Sequence, residues 1–229
     1  MLEWRDGTLP VSTRFDDPYY SVEDGRAETS HVFIEGNHLP QRWQTMHHCT
    51  VAELGFGTGL NFLETVLQWQ NHSTSGARLD FFSFERFPLT AQDMLKALSA
   101  WSNLNDLTTR LTSIWEPNEQ KFEIEFLPDI RLKVHFADAN ASLPNQSFEA
   151  DAWYLDGFSP AKNPELWNAE LMKAVADHTV AGGTFSTYTA AGFVRRNLAA
   201  SGFIVTKSRG YGRKREMLIG EKPRDIDVA

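Results

Sequence analysis

CTVAELGFGTGLNFLETVLQWQ, residues 49–70, changes its period in the middle. Cys49–Leu54 is a short, nearly continuous apolar run, the pattern of a strand covered on both faces. From Leu60 onward, Leu60, Phe62, Leu63, Val66, Leu67 and Trp69 fall at helical spacing. Between the two stand Gly55, Gly57 and Gly59, where missing Cβ atoms permit a sharp turn and a close approach of backbone to a ligand. Strand, glycine turn and helix open a βαβ unit, and Leu79–Phe84 reads as its second strand with Glu85 at the tip.

Working outward, residues 1–48 hold two alternating or apolar runs, Thr8–Arg14 and His31–Glu35, around the turn-rich FDDPYYSVEDG. They predict a small N-terminal β element followed by a short helix near Leu39–Trp43. Residues 87–130 are longer than a simple crossover needs and read as an insertion. Thr90 followed by Asp93 caps a helix, LNDLTTRLTSIW repeats the helical period, and KFEIEF and RLKVHF alternate strictly around Leu127–Ile130 as a hairpin that delivers the third sheet strand. Further strands are expected over Ala150–Leu155, Gly183–Tyr188, Phe203–Ser208 and Glu216–Gly220, with helices near Pro164–Asp177 and Ala190–Ala200. The last two strands, joined by RGYGRK, should be antiparallel. The whole predicts a single α/β domain over 1–229: a doubly wound, mostly parallel sheet with an antiparallel edge strand.

Composition excludes several classes. With 229 residues, 41% hydrophobic and 23% charged, the chain is neither disordered nor a disulfide miniprotein. A single cysteine, Cys49, excludes a disulfide framework and a cysteine-rich zinc site, and seven histidines show no metal-ligand spacing, so no metal is expected. No apolar stretch is long enough to span a membrane and MLEWRDGTLP is no signal peptide, which predicts a cytoplasmic protein. The net charge of −8 argues against a generally basic coat. Yet Phe193–Arg215 carries Arg195, Arg196, Lys207, Arg209, Arg213, Lys214 and Arg215 with no acid, which reads either as a phosphate-binding patch or as a solvated helix and hairpin face.

Ligands of such sheets lie over the carboxyl ends of the strands. There, Glu53 precedes the glycine turn by two residues and suits an ammonium group better than a pyrophosphate, while Leu60 breaks the dinucleotide fingerprint. Glu85 is placed to accept from ribose hydroxyls, or is an exposed carboxylate at a strand tip. Asp138, after the third strand, could reach an adenine amine. Acids on successive strand tips with Gly55, Gly57 and Gly59 fit S-adenosyl-L-methionine, whose sulfonium and ammonium are positive. After the fourth strand, Asp156-Gly-Phe-Ser-Pro160 is similar to the loop with which amino-methyltransferases hold a nucleophilic nitrogen. Asp156 is the candidate for orienting the amine, with a turn or helix-cap role as its alternative. Phe158 reads as a substrate-packing ring or a core residue, and Lys162 as a substrate contact or a surface charge.

Taken together, FDDPYYS, DGRAETSHVFIEGNHLPQRW, ELGFGTGLNFL, SFERFPLTAQD, WYLDGFSPAKNPELW, GGTFSTYTAAGFVRRNLAASGF and GYGRKREML resemble the MnmC-type tRNA methyltransferases over nearly the whole chain. The resemblance implies a Rossmann-like fold and S-adenosyl-L-methionine-dependent methylation of the 5-aminomethyl group of wobble uridine in tRNA, giving 5-methylaminomethyl-2-thiouridine. It implies cofactor contacts at Glu53, Gly55, Gly57, Gly59, Glu85 and Asp138, with Asp156 at the reacting amine. Tyr19, Glu28 and Asn37 fall in its N-terminal motifs and are expected to cover the cofactor or to build the local hairpin. In many members a flavin-dependent oxidase is fused to this domain; residues 1–229 carry no second glycine fingerprint, so no FAD is expected, and a separate FAD-dependent or upstream wobble-modification enzyme would supply the aminomethyl substrate. The anticodon region of the tRNA would lie over the basic run and Lys162. Whether Asp156 acts as base or only orients the amine stays open, as do a small-molecule amine acceptor, with methyl or aminopropyl transfer, and a non-catalytic RNA-binding module.

Overall fold

The computed structural model describes residues 2–117 and 120–224; Met1 and 225–229, at the ends of the expected domain, and 118–119 of the expected insertion lie outside the described residues. Three short strands, β1 (Leu2–Arg5), β2 (Leu9–Ser12) and β3 (Asp17–Pro18), form the small N-terminal sheet. Asp24 then caps α1 (Gly25–Thr29), its carboxylate accepting from the Arg26 and Ala27 amides, and the helix runs on as a π-helical stretch over Ser30–Glu35. The strand expected over His31–Glu35 is therefore helical. Val32, Phe33 and Ile34 are buried in succession, and an apolar run this short has no period to separate helix from strand. The helix α2 (Leu39–Trp43) follows as expected.

The main sheet comprises β4 (His48–Leu54), β5 (Arg78–Phe84), β6 (Lys121–Leu127), β7 (Ile130–His135), β8 (Ala150–Leu155), β9 (Thr179–Thr187), β10 (Ile204–Arg209) and β11 (Glu216–Glu221). Their order is β10-β11-β9-β8-β4-β5-β7-β6. The pairs from β9 through β7 are parallel, which gives the expected mostly parallel sheet with antiparallel pairing at its edges. In detail, β11 inserts antiparallel between β9 and β10, and the hairpin strand β6 makes a second antiparallel edge.

The helices α3 (Leu60–His72), α4 (Ala91–Leu98), α5 (Asn105–Ile114), α6 (Ala139–Ser142), α7 (Ala169–Asp177) and α8 (Gly192–Ala200) cover the sheet. The Thr90 hydroxyl accepts from the Asp93 amide at the start of α4, as the sequence predicts. Side chains alternate across each strand. Val51, Phe81 and Tyr154 join the core under α3, while Ala52, Leu54 and Trp153 join the core under α7 and α8. Each fully buried ring of this size contributes about 1.5–3 kcal/mol relative to exposure. Strand order reverses at β4, between β5 and β8, and this opens a crevice over its carboxyl end. Among the described residues, no helix is long and apolar enough to cross a membrane and no cluster of His, Cys, Asp or Glu is placed to hold a metal ion.

Candidate active site

The turn after β4 takes its shape from its glycines. Gly55 has φ +93°, and a Cβ there would stand 2.9 Å from the carbonyl oxygen of Asp156, so strain and crowding both exclude a side chain. Gly59, at φ +81°, leads into α3. Glu85 braces the turn from the next strand tip: one oxygen accepts from the Gly57 amide at 2.9 Å and the other from the Phe87 amide at 2.7 Å. Burial nevertheless pushes the Glu85 carboxyl above its ordinary range.

Strand alternation places Glu53, Ser83 and Tyr154 in one row across β4, β5 and β8, on the face that meets α3. Asn61, in the first turn of α3, lowers its amide onto this row. Its Nδ2 donates to Glu53 Oε1 at 2.9 Å and to Asp156 Oδ2 at 2.8 Å. Ser83 donates to the second Glu53 oxygen at 2.7 Å, and the Gly157 amide to the second Asp156 oxygen at 2.9 Å. Burial pushes Glu53 up to about 8 against the hydrogen bonds from Ser83 and Asn61. Burial likewise pushes Asp156 up to about 7, the Asn61 hydrogen bond opposing it and the Glu28 charge adding to it.

A cavity of about 610 Å³ lies above this network, walled by the glycine turn, Glu28, Asn61, Asp156, Tyr188 and Lys214. A second, of about 220 Å³, shares Gly55, Glu85, Gly157 and Phe158 with it and reaches Asp138 and Lys162. Of the sequence candidates, Gly55, Gly57, Glu85, Asp156, Phe158 and Tyr19 are thus brought together. Phe158 is no core residue: its ring stacks on Phe15 at 4.6 Å and meets the edge of Tyr19 at 5.1 Å. Tyr19 lies over the glycine turn, its ring 3.2 Å from where a Gly57 Cβ would be. Lys162 bonds the Asp16 carbonyl and lies 3.6 Å from the carboxylates of Asp16 and Asp17, tying the Asp156 loop to the N-terminal segment. Asp138 reaches the second cavity with its carboxylate already engaged, by the Asn140 amide at 3.0 Å and by Arg86 at 2.8 Å.

Three candidates are placed elsewhere: Gly59 lines neither cavity and faces the Leu111, Phe56 and Met94 side chains instead. Glu53 is wholly buried beneath the turn, off the cavity wall, and meets the cavity only through Asn61. Asn37 is wholly buried, donating to the Phe33 and Trp153 carbonyls and accepting from Thr184, so it ties the π-helical stretch to the sheet rather than covering a ligand. Conversely, Asn61 and Tyr188 line the cavity without standing out in the sequence. A polar residue in the first turn of the helix, directly after the glycine turn, is the signal for Asn61; Tyr188 follows the tip of β9, where a search for acids and glycines does not look.

The basic run splits in two. Because β9 and β10 point the same way as β4, Arg195 and Arg196 on α8 and the turn from Arg209 to Arg215 stand at the cavity end of the sheet. Lys207 pairs with Glu216 at 2.7 Å, Arg213 with Glu23 at 3.4 Å and Lys214 with Glu28 at 3.0 Å. Arg195, Arg196, Arg209 and Arg215 are exposed and have no ion-pair partner among the described residues.

A family profile described as S-adenosyl-L-methionine-dependent methyltransferase matches residues 102–223. The tRNA 5-methylaminomethyl-2-thiouridine biosynthesis bifunctional protein MnmC of Actinobacillus pleuropneumoniae (strain L20) is 41% identical over 239 residues, spanning 100% of this chain and 36% of that protein. The protein of the same name from Aeromonas hydrophila is 44% identical over 234 residues, spanning 96% of this chain and 35% of that protein. The chain therefore covers about a third of the length of these curated relatives. Among solved structures, MnmC2 from Aquifex aeolicus matches 94% of this chain and 67% of its own with a TM-score of 0.78 at 22% identity, a likeness of fold.

Proposed function

The chain belongs to the S-adenosyl-L-methionine-dependent methyltransferases, and from that premise we propose that it methylates the primary amine of a 5-aminomethyl wobble uridine in tRNA, giving the 5-methylaminomethyl nucleoside. The relatives named for biosynthesis of that nucleoside support the choice of acceptor. Support for the donor comes from the glycine turn, whose Gly55 and Gly57 line the larger cavity, from Glu85 beside it and from Asp138 at the far end of the adjoining cavity. In this reading Gly55, Gly57 and Glu85 hold the sugar and the amino-acid part, Asp138 and Phe158 face the base, and Glu53 acts through Asn61. When bound, S-adenosyl-L-methionine supplies a methyl group on a sulfonium, an electrophile for nitrogen.

Asp156 carries the reading. It lines the larger cavity, next to Gly157, which both cavities share, and its two oxygens are fixed by Asn61 and by the Gly157 amide. An aliphatic ammonium with pKa near 10.4 costs about 4.6 kcal/mol to deprotonate at pH 7, so the acceptor must lose its proton as it enters. A carboxyl pushed up to about 7 by burial is well matched to take it. Lys214 and desolvation by the aromatic walls favour the neutral amine, whereas Asp156 and Glu28 favour the ammonium, so Asp156 serves by orientation and as proton acceptor. The exposed Arg195, Arg196, Arg209 and Arg215 are the groups for the tRNA phosphates.

The test is transfer of labelled methyl from S-adenosyl-L-methionine to tRNA bearing 5-aminomethyl-2-thiouridine, followed by nucleoside analysis. Label in 5-methylaminomethyl-2-thiouridine is expected. Label that survives RNase digestion of the acceptor in a small amine would assign the cavity to another substrate, and no label would remove the reaction.

A further inference from the structure

Every hydrogen-bonding atom of the Asn61 side chain is committed. Nδ2 donates to Glu53 Oε1 and Asp156 Oδ2, and Oδ1 accepts from the Thr29 hydroxyl at 2.7 Å. Turning the amide over would point its oxygen at the two carboxyl groups and forfeit both hydrogen bonds that Nδ2 donates to them. The residue is 7% exposed and is carried on the first turn of α3, anchored by the glycine turn. We propose that Asn61 is a positioning residue, whose single NH2 group links the buried Glu53 to Asp156 and fixes the plane of the Asp156 carboxylate toward the cavity. The proposal deepens the reading of Asp156 as the amine contact and rests on it.

The surroundings of Asp156 make this amide decisive. From β4 it faces Glu53, from α1 Glu28, from the turn after β10 Lys214, and from the end of β9 the Tyr188 phenol. Lys214 is the cation among them, and it is hydrogen-bonded to Glu28 rather than to Asp156. The direct donors to Asp156 are therefore Asn61 and the Gly157 amide. Removing Asn61 takes a donor from the buried Glu53 and the half-buried Asp156 at once and frees Asp156 to turn. Both groups then favour the neutral form.

The test compares wild type with Asn61→Ala and the near-isosteric Asn61→Asp. For methyl transfer, kcat/KM should fall about 10- to 100-fold, as for one lost hydrogen bond to a charged group. The acid limb of the pH–rate profile should move to higher pH in both variants, further in Asn61→Asp, which adds a third carboxyl. Independently of turnover, carbon-13 carboxyl NMR of the ligand-free protein, with Asp156 identified through Asp156→Asn, should show its titration move the same way. A rate loss with an unmoved profile and an unmoved Asp156 titration would overturn the proposal. So would a change confined to donor affinity, since Asn61 would then act on the donor instead. Should wild type transfer no methyl to tRNA while the NMR titration still moves in the variants, the positioning role stands and the assigned reaction falls.

Discussion

Lys214 Nζ lies 3.0 Å from Glu28 Oε1 and 3.9 Å from the centre of the Tyr188 ring, so a cation from the basic run faces the cavity instead of an approaching phosphate. The run is consequently two structural groups. Exposed arginines form one, and a lysine that lines the larger cavity belongs to the other.

That division is measurable. Arg195→Ala and Arg209→Ala should each weaken tRNA binding and lower the slope of log affinity against log salt by about one for each phosphate no longer neutralised. Lys214→Ala should instead reduce the single-turnover rate with a smaller change of slope. Equal slopes for all three variants and wild type would remove the arginines from the tRNA surface.

Gly55→Ala combines a left-handed backbone, φ +93°, with a Cβ 2.9 Å from the Asp156 carbonyl oxygen. A loss of about 1–3 kcal/mol in stability and a clear loss of donor affinity are expected, by denaturant melts and calorimetry. Gly76→Ala, at φ +77° with nothing within 4 Å, suffers backbone strain without crowding and should leave donor affinity unchanged. If the two variants bind donor equally well, the close approach at Gly55 has no part in the cradle.

Glu53 makes stability depend on pH with a definite sign. Its folded pKa of about 8 exceeds the unfolded value of about 4.3, so between these limits the native state holds the extra proton. Stability is fully present below the lower limit and is lost as pH rises through the upper one, by at most about 1.4 kcal/mol per unit. Glu53→Gln, which can still accept from Asn61 and donate to Ser83, should flatten urea-derived stability between pH 5 and pH 8 relative to wild type. An unchanged slope would place that proton on another group.

Asp156, at about 7 in the folded protein, should couple cofactor binding to proton release. A cationic donor favours the carboxylate, so affinity for S-adenosyl-L-methionine should rise between pH 6 and pH 8, and calorimetry in buffers of different ionisation enthalpy should register the released protons. Asp156→Asn should abolish this pH dependence and retain more single-turnover activity than Asp156→Ala, because it keeps the hydrogen-bonding shape. Equal, small losses in the two variants would deny Asp156 its role.

What sequence discloses follows the range of the interactions. The β4–turn–α3 unit is legible because the period changes on either side of Gly55, Gly57 and Gly59, and the β6–β7 hairpin because its alternation is strict. Both are local signals. The His31–Glu35 run reads as a strand yet folds as a helix, because five residues cannot express a period. The insertion of β11 between β9 and β10 is a choice among non-local pairings that no single segment encodes. In the site, Glu85 and Asp156 can be placed from their strand tips alone. Glu53 cannot, since a carboxylate two residues before a glycine turn can point either above the sheet end or beneath α3, and the Asn61 amide decides it. The Lys214–Glu28 pair joins residues 186 positions apart, beyond any reading of charge along the chain.

The central claim is that the crevice from Gly55 past Glu85 seats a cationic alkyl donor with its reactive end at Asp156. Crystals soaked with sinefungin, a stable analogue bearing an amine in place of the sulfonium centre, test it most directly. Density should run along Gly55 and Glu85 toward Asp138, with the analogue's amine beside Asp156. An empty crevice at saturating concentration, or the analogue bound at another face, would contradict it.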